Sequence, residues 1–573
     1  MRRALLGLAL LAGTCVPALA DYNVSGRFVF VDREFDANGF TGVEPQLPIR
    51  VATVEVVDAN KIKGSGVTDA SGNFLIHLVD TATRDIYIRC LARRQTTTAV
   101  PLDVRSSSQS ADIWSIRSQT FVGHPPNQDV FIGTLAAVPG AGGEAFNLLD
   151  ATILGSDYLV ALRGSGSYPL LYIVFNAINP NLSSFSPSTN SITQARNAGY
   201  DDTVVLHEMG HYVVKNFSRT DSPAGEHHLS DCNQNLMLAF EEGHASFFGL
   251  SARRFANKPH ASLYVRTTGL PGPGNVQFYF DAETQLPFVC RGSSSETTVY
   301  SALWDLNDGA STTDETPGSE EAWDLLSGQD AGYWKVMTLY LPGAANISLE
   351  DFWDGWFHPS VNNGHYSEIK SIFRELGVEY FPDDFESNDL IGEARNVVPG
   401  NTPLHLTYFA DRNNDLLGEA DTDLFAFNAL AGTPYAIETL NLLSDANTSL
   451  TLLASNGSTV LASNNDRSIN DPSSLILYTP TTSGTLYVKS VHASDFGIYG
   501  SYDLRIATDT GGPDADGDGY TTATDCNDSD SAVHPGATER CNGSCGTLNH
   551  PAVVSGEPGR RASLSRRVCT SEP

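Results

Sequence analysis

Positive charge is scarce in this 573-residue chain: Lys and Arg total 35 against 67 Asp and Glu, a formal charge of −32 at pH 7. Such a surface repels phosphate backbones and acidic headgroups, which argues against nucleic acid and anionic membrane as partners. The same excess suits solubility outside a cell and the binding of hard cations. Beyond residue 20 there is no run of about 20 apolar residues, so no bilayer-spanning helix is expected. A Gly-x-Ser-x-Gly nucleophile elbow is also missing, which argues against a serine hydrolase. Global disorder is excluded by a hydrophobic content of 41%.

Residues 1–20 read as an export signal. Arg2 and Arg3 precede the apolar run 4–11, and Ala18-Leu19-Ala20 fits a small-residue cleavage site. The mature chain is expected to begin at Asp21 and to be secreted, with cell-surface association as the alternative. Removing Cys15 with the signal leaves cysteines 90, 232, 290, 526, 541, 545 and 569. Export favours disulfides, and an odd count leaves at least one thiol free or intermolecular. Cys232 and Cys290 fall in one expected domain, and Cys526, Cys541 and Cys545 in another.

A chain of this length predicts several units of roughly 100–200 residues each. Over 21–138 the pattern is β, with strands expected at 24–31, 49–57, 74–78 and 86–90. Over 139–381 helical periods dominate, at 145–159, 200–217, 236–250, 298–306, 321–341 and 366–376, with a buried strand at 170–175. Asp201 or Asp202 is placed to cap the second helix. Over 382–507 short strands and turns return. The acidic, Gly-rich stretch 508–547 reads as a metal loop, and 548–573 as a disordered basic tail. The fold class expected is therefore multidomain: a β-sandwich, an α-rich (α+β) domain, a second β-sandwich and a calcium-loop segment.

His207-Glu208-Met209-Gly210-His211 carries the chemistry. Two histidines at i and i+4 lie on one helix face and can meet one metal, and the intervening glutamate can take a proton from a metal-activated water. A catalytic metal needs a third protein ligand. Val214 and Phe217 stand where metzincins carry Gly and His, which excludes that class. On the helix 236–250, Glu242 shares a face with the small residues Ala239, Ala245, Ser246 and Gly249, suited to close approach; the face of Glu241 is bulkier and suits packing elsewhere. Ser246, four residues on, stands where the thermolysin group carries an aspartate that orients a ligand histidine, a likeness that implies the same role, more weakly, for the serine. His227 and His228 lie in the polar loop 218–235 and are expected to face water. His244 suggests a di-iron Glu-x-x-His motif only if a second such pair exists, and none is found.

Several stretches resemble known families. Thr68-Asp69-x-x-Gly72-x-Phe74 and its strands resemble the transthyretin-like or carboxypeptidase-regulatory β-sandwich. The His-Glu-x-x-His helix, Glu242-Gly243, and the helix ending Leu303-Trp304-Asp305-Leu306 resemble the gluzincins, the thermolysin-like group, and among them the fungalysins. That resemblance implies a zinc centre with ligands His207, His211 and Glu242 and with Glu208 as general base. It also implies an oxyanion-stabilising histidine before the third helix, where this chain has none; Arg291 and Tyr300 are the nearest polar candidates. Phe385-Glu386-Ser387-Asn388-Asp389, Asp421 to Phe427 and the turns that follow resemble the bacterial pre-peptidase C-terminal domain, a β-sandwich found behind secreted peptidases.

Asp514, Asp516 and Asp518, then Gly519, Tyr520 and Asp525, follow EF-hand ligand spacing with Asp in the last position. Asp528, Asp530 and Glu539 form a looser second set. Asp525-Cys526-Asn527-Asp528 and His534-Pro535-Gly536-Ala537 resemble a calcium-binding repeat of bacterial surface proteins, which implies a structural Ca2+. The function expected is a secreted zinc endopeptidase acting on protein or peptide substrates. The alternative is a catalytically impaired peptidase-like surface protein serving as a binding or adhesion module.

Overall fold

The computed structural model describes residues 20–107, 112–176, 178–309, 323–494 and 497–509. The expected signal, calcium loop and basic tail lie outside these residues. The chain is multidomain and strand-rich, and divides into two compact units. Of the described residues, one takes in 20–381, 411–418 and 443–445; the other takes in 382–410, 419–442 and 446–509.

The first unit opens with β structure whose alternation follows the side chains. In the strand Asn73–Asp80, Phe74, Ile76 and Leu78 are buried while Leu75 and Val79 face out. Burying each such side chain stabilises the fold by about 1.5–3 kcal/mol. This strand pairs antiparallel with Ala20–Val31, which pairs parallel with Val130–Ala137. A second sheet places Arg84–Leu91 beside Thr53–Asp58, which pairs with Lys61–Val67. The strand expected from residue 49 starts only at Thr53, because Val51 adopts a left-handed φ of 51° that interrupts extension. Leu102–Arg105 leaves these sheets and pairs parallel with Leu171–Val174 in a sheet of five strands.

Helices follow. α1 spans Gly143–Arg163, α2 Asp202–Phe217, and α3 Leu236–Phe255. α1 is long and apolar enough to cross a bilayer by length and composition, contrary to expectation, yet 72% of its apolar window is buried in the fold. α2 and α3 pack closely where side chains are smallest. A Cβ on Gly210 would sit 2.6 Å from the Ala245 Cα, and one on Gly249 would sit 3.1 Å from the Leu206 Cβ. Asp201 does not cap α2 with its side chain. Its carboxylate instead accepts bonds from Thr267 Oγ1 and Arg266, anchoring α2 to the strand Leu263–Thr267. Asp202 accepts from Asn147 and Arg253.

α4 spans Glu296–Trp304, α5 Asp330–Lys335, α6 Leu349–Phe357 and α7 Tyr366–Glu375. The long helix expected over 321–341 is reduced to α5, a π turn at Val336–Tyr340 and a 3-10 turn at Leu341–Gly343. Gly328, at φ +65°, precedes it, and Pro342 cannot extend it. Gly243 lets α4 close on α3: a Cβ there would lie 2.7 Å from the Glu296 carbonyl oxygen. Cys232 and Cys290 form a disulfide, and Cys90 is a buried thiol.

The second unit is a β-sandwich-like pair of sheets. One carries Thr422–Ala429, Gly484–His492, Thr448–Leu453 and Val460–Asn464; the other carries Leu404–Thr407, Ser501–Thr508, Tyr435–Leu443 and Leu475–Tyr478. Phe425, Phe427, Leu450 and Val488 meet Ile437, Tyr502 and Leu504 in one core.

Candidate metal centre

The i, i+4 spacing of His207 and His211 sets their rings on one face of α2, with centroids 5.0 Å apart and planes at 85°. α3, held close by Gly210 against Ala245, delivers Glu242 between them. Glu242 Oε2 lies 3.1 Å from His207 Nε2 and 3.4 Å from His211 Nε2. These three side chains form one group able to hold a metal ion. The other ring nitrogens are held from behind. His207 Nδ1 lies 2.9 Å from Ser246 Oγ, and His211 Nδ1 lies 3.3 Å from Glu241 Oε1. Glu241 therefore does not pack elsewhere; it orients His211 and accepts a bond from Thr220 Oγ1.

Glu208 is buried beside the histidines at 7% exposure. Burial raises its carboxyl above the ordinary value, against the opposing pull of His207 and His211. Burial also acts to raise Glu242, but His211 and His207 outweigh it and hold that carboxyl well below its usual range. His211 is raised despite burial, chiefly by the Glu242 charge.

His227 is not a solvated loop residue. Its Nε2 lies 3.4 Å from Glu242 Oε2 and its Nδ1 3.1 Å from Glu296 Oε2. It groups with Glu242 and Glu296 rather than with the two helix histidines. Burial opposes its charge, yet Glu296 and Glu242 raise it to about 9. Glu296 is fixed in turn by Gln234, whose Nε2 donates to it at 2.9 Å and whose Oε1 accepts its backbone N–H at 3.0 Å. His228 is exposed, as expected.

Neither oxyanion candidate reaches the centre. Arg291 is exposed, and its guanidinium donates to the carbonyls of Glu375 and Arg374 at the end of α7. Tyr300 is fully buried on α4 against Phe280, with ring centroids 4.8 Å apart. Tyr264 was not anticipated: its ring lies 5.9 Å from that of His207 and stacks on Phe278. Burial, then the Glu208 charge, raises its phenol. His244 is buried against Tyr333, and its imidazole is lowered to about 3 by burial.

The second unit holds another acidic site. Asp383, Glu386 and Asp423 form one group able to take a cation, and Glu386, Asp389 and Asp421 form another. Burial, then the Asp423 and Glu386 charges, pushes Asp421 up to about 10. Asp514, Asp516, Asp518, Tyr520, Asp525, Asp528, Asp530 and Glu539 lie outside the described residues.

Comparison with known proteins adds the following. Residues 421–489 match the family profile of the bacterial pre-peptidase C-terminal domain, and residues 525–544 match that of a metal-binding motif. An uncharacterised protein of Archaeoglobus fulgidus is 26% identical over 159 residues, 27% of this chain; the chain spans 41% of that relative's length. Among solved structures, the pre-peptidase C-terminal domain of a Bacillus anthracis collagenase is 18% identical, covering 20% of this chain and 93% of its own, at a TM-score of 0.16. Aeromonas hydrophila PliG, a periplasmic inhibitor of g-type lysozyme, is 9% identical, covering 20% of this chain and 96% of its own, at a TM-score of 0.13. At these TM-scores neither likeness defines the architecture. The chain thus contains a pre-peptidase C-terminal domain, a metal-binding motif and candidate His and acidic metal sites.

Proposed function

We propose that this protein is a secreted zinc-dependent endopeptidase of the gluzincin type. The observation that carries the reading is the convergence of His207 Nε2, His211 Nε2 and Glu242 Oε2 within 4.8 Å of one another, with Glu208 buried beside them. Two imidazole nitrogens and one carboxylate oxygen, with a side left open, are the donor set of a catalytic zinc. When bound, zinc would lower the pKa of a water toward about 7 and polarise a carbonyl.

The chain's own residues supply the remaining steps. Glu208, raised by burial, takes the proton from the attacking water and passes it to the leaving amine. His227, aimed by Glu296, donates from Nε2 to the carbonyl oxygen as negative charge develops there. Tyr264 walls the His207 side. The pre-peptidase C-terminal domain fits export behind a peptidase, and the motif at 514–539 fits structural calcium.

Metal analysis and casein digestion of the Glu208→Gln variant test the reading. The expected result is full zinc content with peptidase activity lost. Wild-type protein that binds no zinc, or a variant that still digests casein, overturns it.

A further inference from the structure

Glu242 belongs to two converging groups. A ring nitrogen of His227, a carboxylate oxygen of Glu242 and one of Glu296 lie within 4.8 Å of one another, the same span that joins His207, His211 and Glu242. The individual contacts are close. His227 Nε2 lies 3.4 Å from Glu242 Oε2, and Nδ1 lies 3.2 Å from Glu296 Oε1 and 3.1 Å from Oε2. Three separate elements supply the donors. Glu242 comes from α3 and Glu296 from the first turn of α4, where Gln234 holds its Oε1 and its backbone N–H. His227 comes from the loop that the Cys232–Cys290 disulfide ties to the segment before α4. The His227 side chain keeps 31% of its exposure, so an ion can reach the group from solvent.

Charge gives the group a reason to take an ion. Glu296 is 2% exposed, and a carboxylate so buried is costly unless a cation faces it. A zinc ion among His207, His211 and Glu242 leaves Glu296 to be balanced from the His227 side. Either a proton on the imidazole or a second dication can do this. One imidazole nitrogen with two carboxylates is a donor set for a borderline dication such as zinc. We propose that His227, Glu242 and Glu296 form a second, weaker zinc site that shares Glu242 with the first, and that its occupation shuts the peptidase off. The inference rests on the zinc reading above. The second site is the weaker because it offers one nitrogen instead of two, divides Glu242 between two ions, and brings its ion up to a positive charge already in place.

Binding exchanges one cation for another. The imidazole lone pair goes to the metal, and the proton it carried goes to solvent. An ion on Nε2 removes the donor to the substrate carbonyl. An ion on Nδ1 replaces the hydrogen bond through which Glu296 aims the ring. In both cases His227 no longer presents a directed N–H to the substrate.

The test uses the full chain stripped of metal, with calcium in excess to fill sites built of carboxylates alone, and cobalt(II) as a coloured, paramagnetic substitute for zinc. Wild type should take two equivalents into nitrogen-bound sites. The second should weaken the paramagnetic signal per cobalt, since ions sharing a carboxylate stand about 3.5–4 Å apart and couple. His211→Ala should lose the tighter equivalent, and His227→Gln and Glu296→Gln the weaker one. With zinc in place of cobalt, a second equivalent should slow casein digestion by wild type severalfold and leave the residual rate of His227→Gln unchanged. A second equivalent that persists in His227→Gln overturns the proposal, as does one that binds without slowing the enzyme. Wild type that takes one equivalent, lost in His211→Ala, overturns this inference and leaves the one-zinc reading standing. Wild type that takes none overturns both. If Glu296→Gln does not fold, the partly exposed His227→Gln decides alone.

Discussion

His227 and Glu296 face one another at 3.1 Å through the Nδ1 side of the imidazole, and this contact turns Nε2 toward Glu242. The raised value of about 9 for His227 means that its charged form persists through neutral pH and is lost as pH climbs through that value. His227→Gln should lower kcat/KM by about 10²–10³ with zinc retained, the scale of a lost oxyanion donor. Wild type should show an alkaline limb in kcat/KM at or below about pH 9, since a nearby zinc pulls the value down, and the variant should lack that limb. Zinc lost from His227→Gln would make His227 a ligand instead. Glu296→Gln, which weakens the aiming contact and removes the charge that raises His227, should shift the limb to lower pH.

The adjacent glutamates of α3 should separate cleanly. Glu242→Ala should remove zinc outright. Glu241→Ala should keep zinc but weaken its affinity by about 10–100-fold, because His211 loses the partner that holds its ring. Competition with a chelator of known affinity measures both.

The disulfide between Cys232 and Cys290 joins the loop carrying His227 to the segment leading into α4. Replacing both cysteines by serine should destabilise the first unit by about 2–5 kcal/mol in denaturant titration. Activity should fall further than zinc content, since the ligands lie on α2 and α3 and the His227–Glu296 contact does not. Equal losses of activity and zinc would argue against that division.

In the second unit Asp421 stands far above the ordinary carboxyl value, at about 10. A carboxyl raised by folding contributes stability that is full below its ordinary value of about 4 and is lost as pH rises toward its folded value. Thermal melts in chelator should therefore show this unit weakening between pH 5 and 9. Calcium should flatten that slope, because a cation replaces the missing protons. A slope that calcium leaves unchanged would count against a cation among Glu386, Asp389, Asp421 and Asp423.

The histidine pair and Glu242 were legible because their signals are local: a four-residue helical spacing and a run of small residues on one face. His227 was not. Its loop has no period, and its place is set by partners far along the chain, Glu296 lying 69 residues away and the disulfide closing 58. Tyr264 escaped for a related reason, since its five-residue strand is defined by pairing with Val276–Asp281. Glu241 points away from the metal-facing side of α3 yet reaches the reverse side of His211, a contact set by how α2 packs on α3 and not by either helix alone. The helix expected over 321–341 is broken up because Gly328 and Pro342 interrupt an otherwise helical apolar period.

The contact of Gly210 with Ala245 makes an absent side chain a determinant of chemistry. Ion ligation tolerates errors of only a few tenths of an ångström, whereas a methyl at position 210 would meet the α3 backbone at 2.6 Å. The two helices would have to part, and Glu242 would withdraw from both imidazoles with every donor atom still intact. Position 210 therefore works as a spacer of zero thickness, and substitution there should resemble the loss of a ligand while altering none.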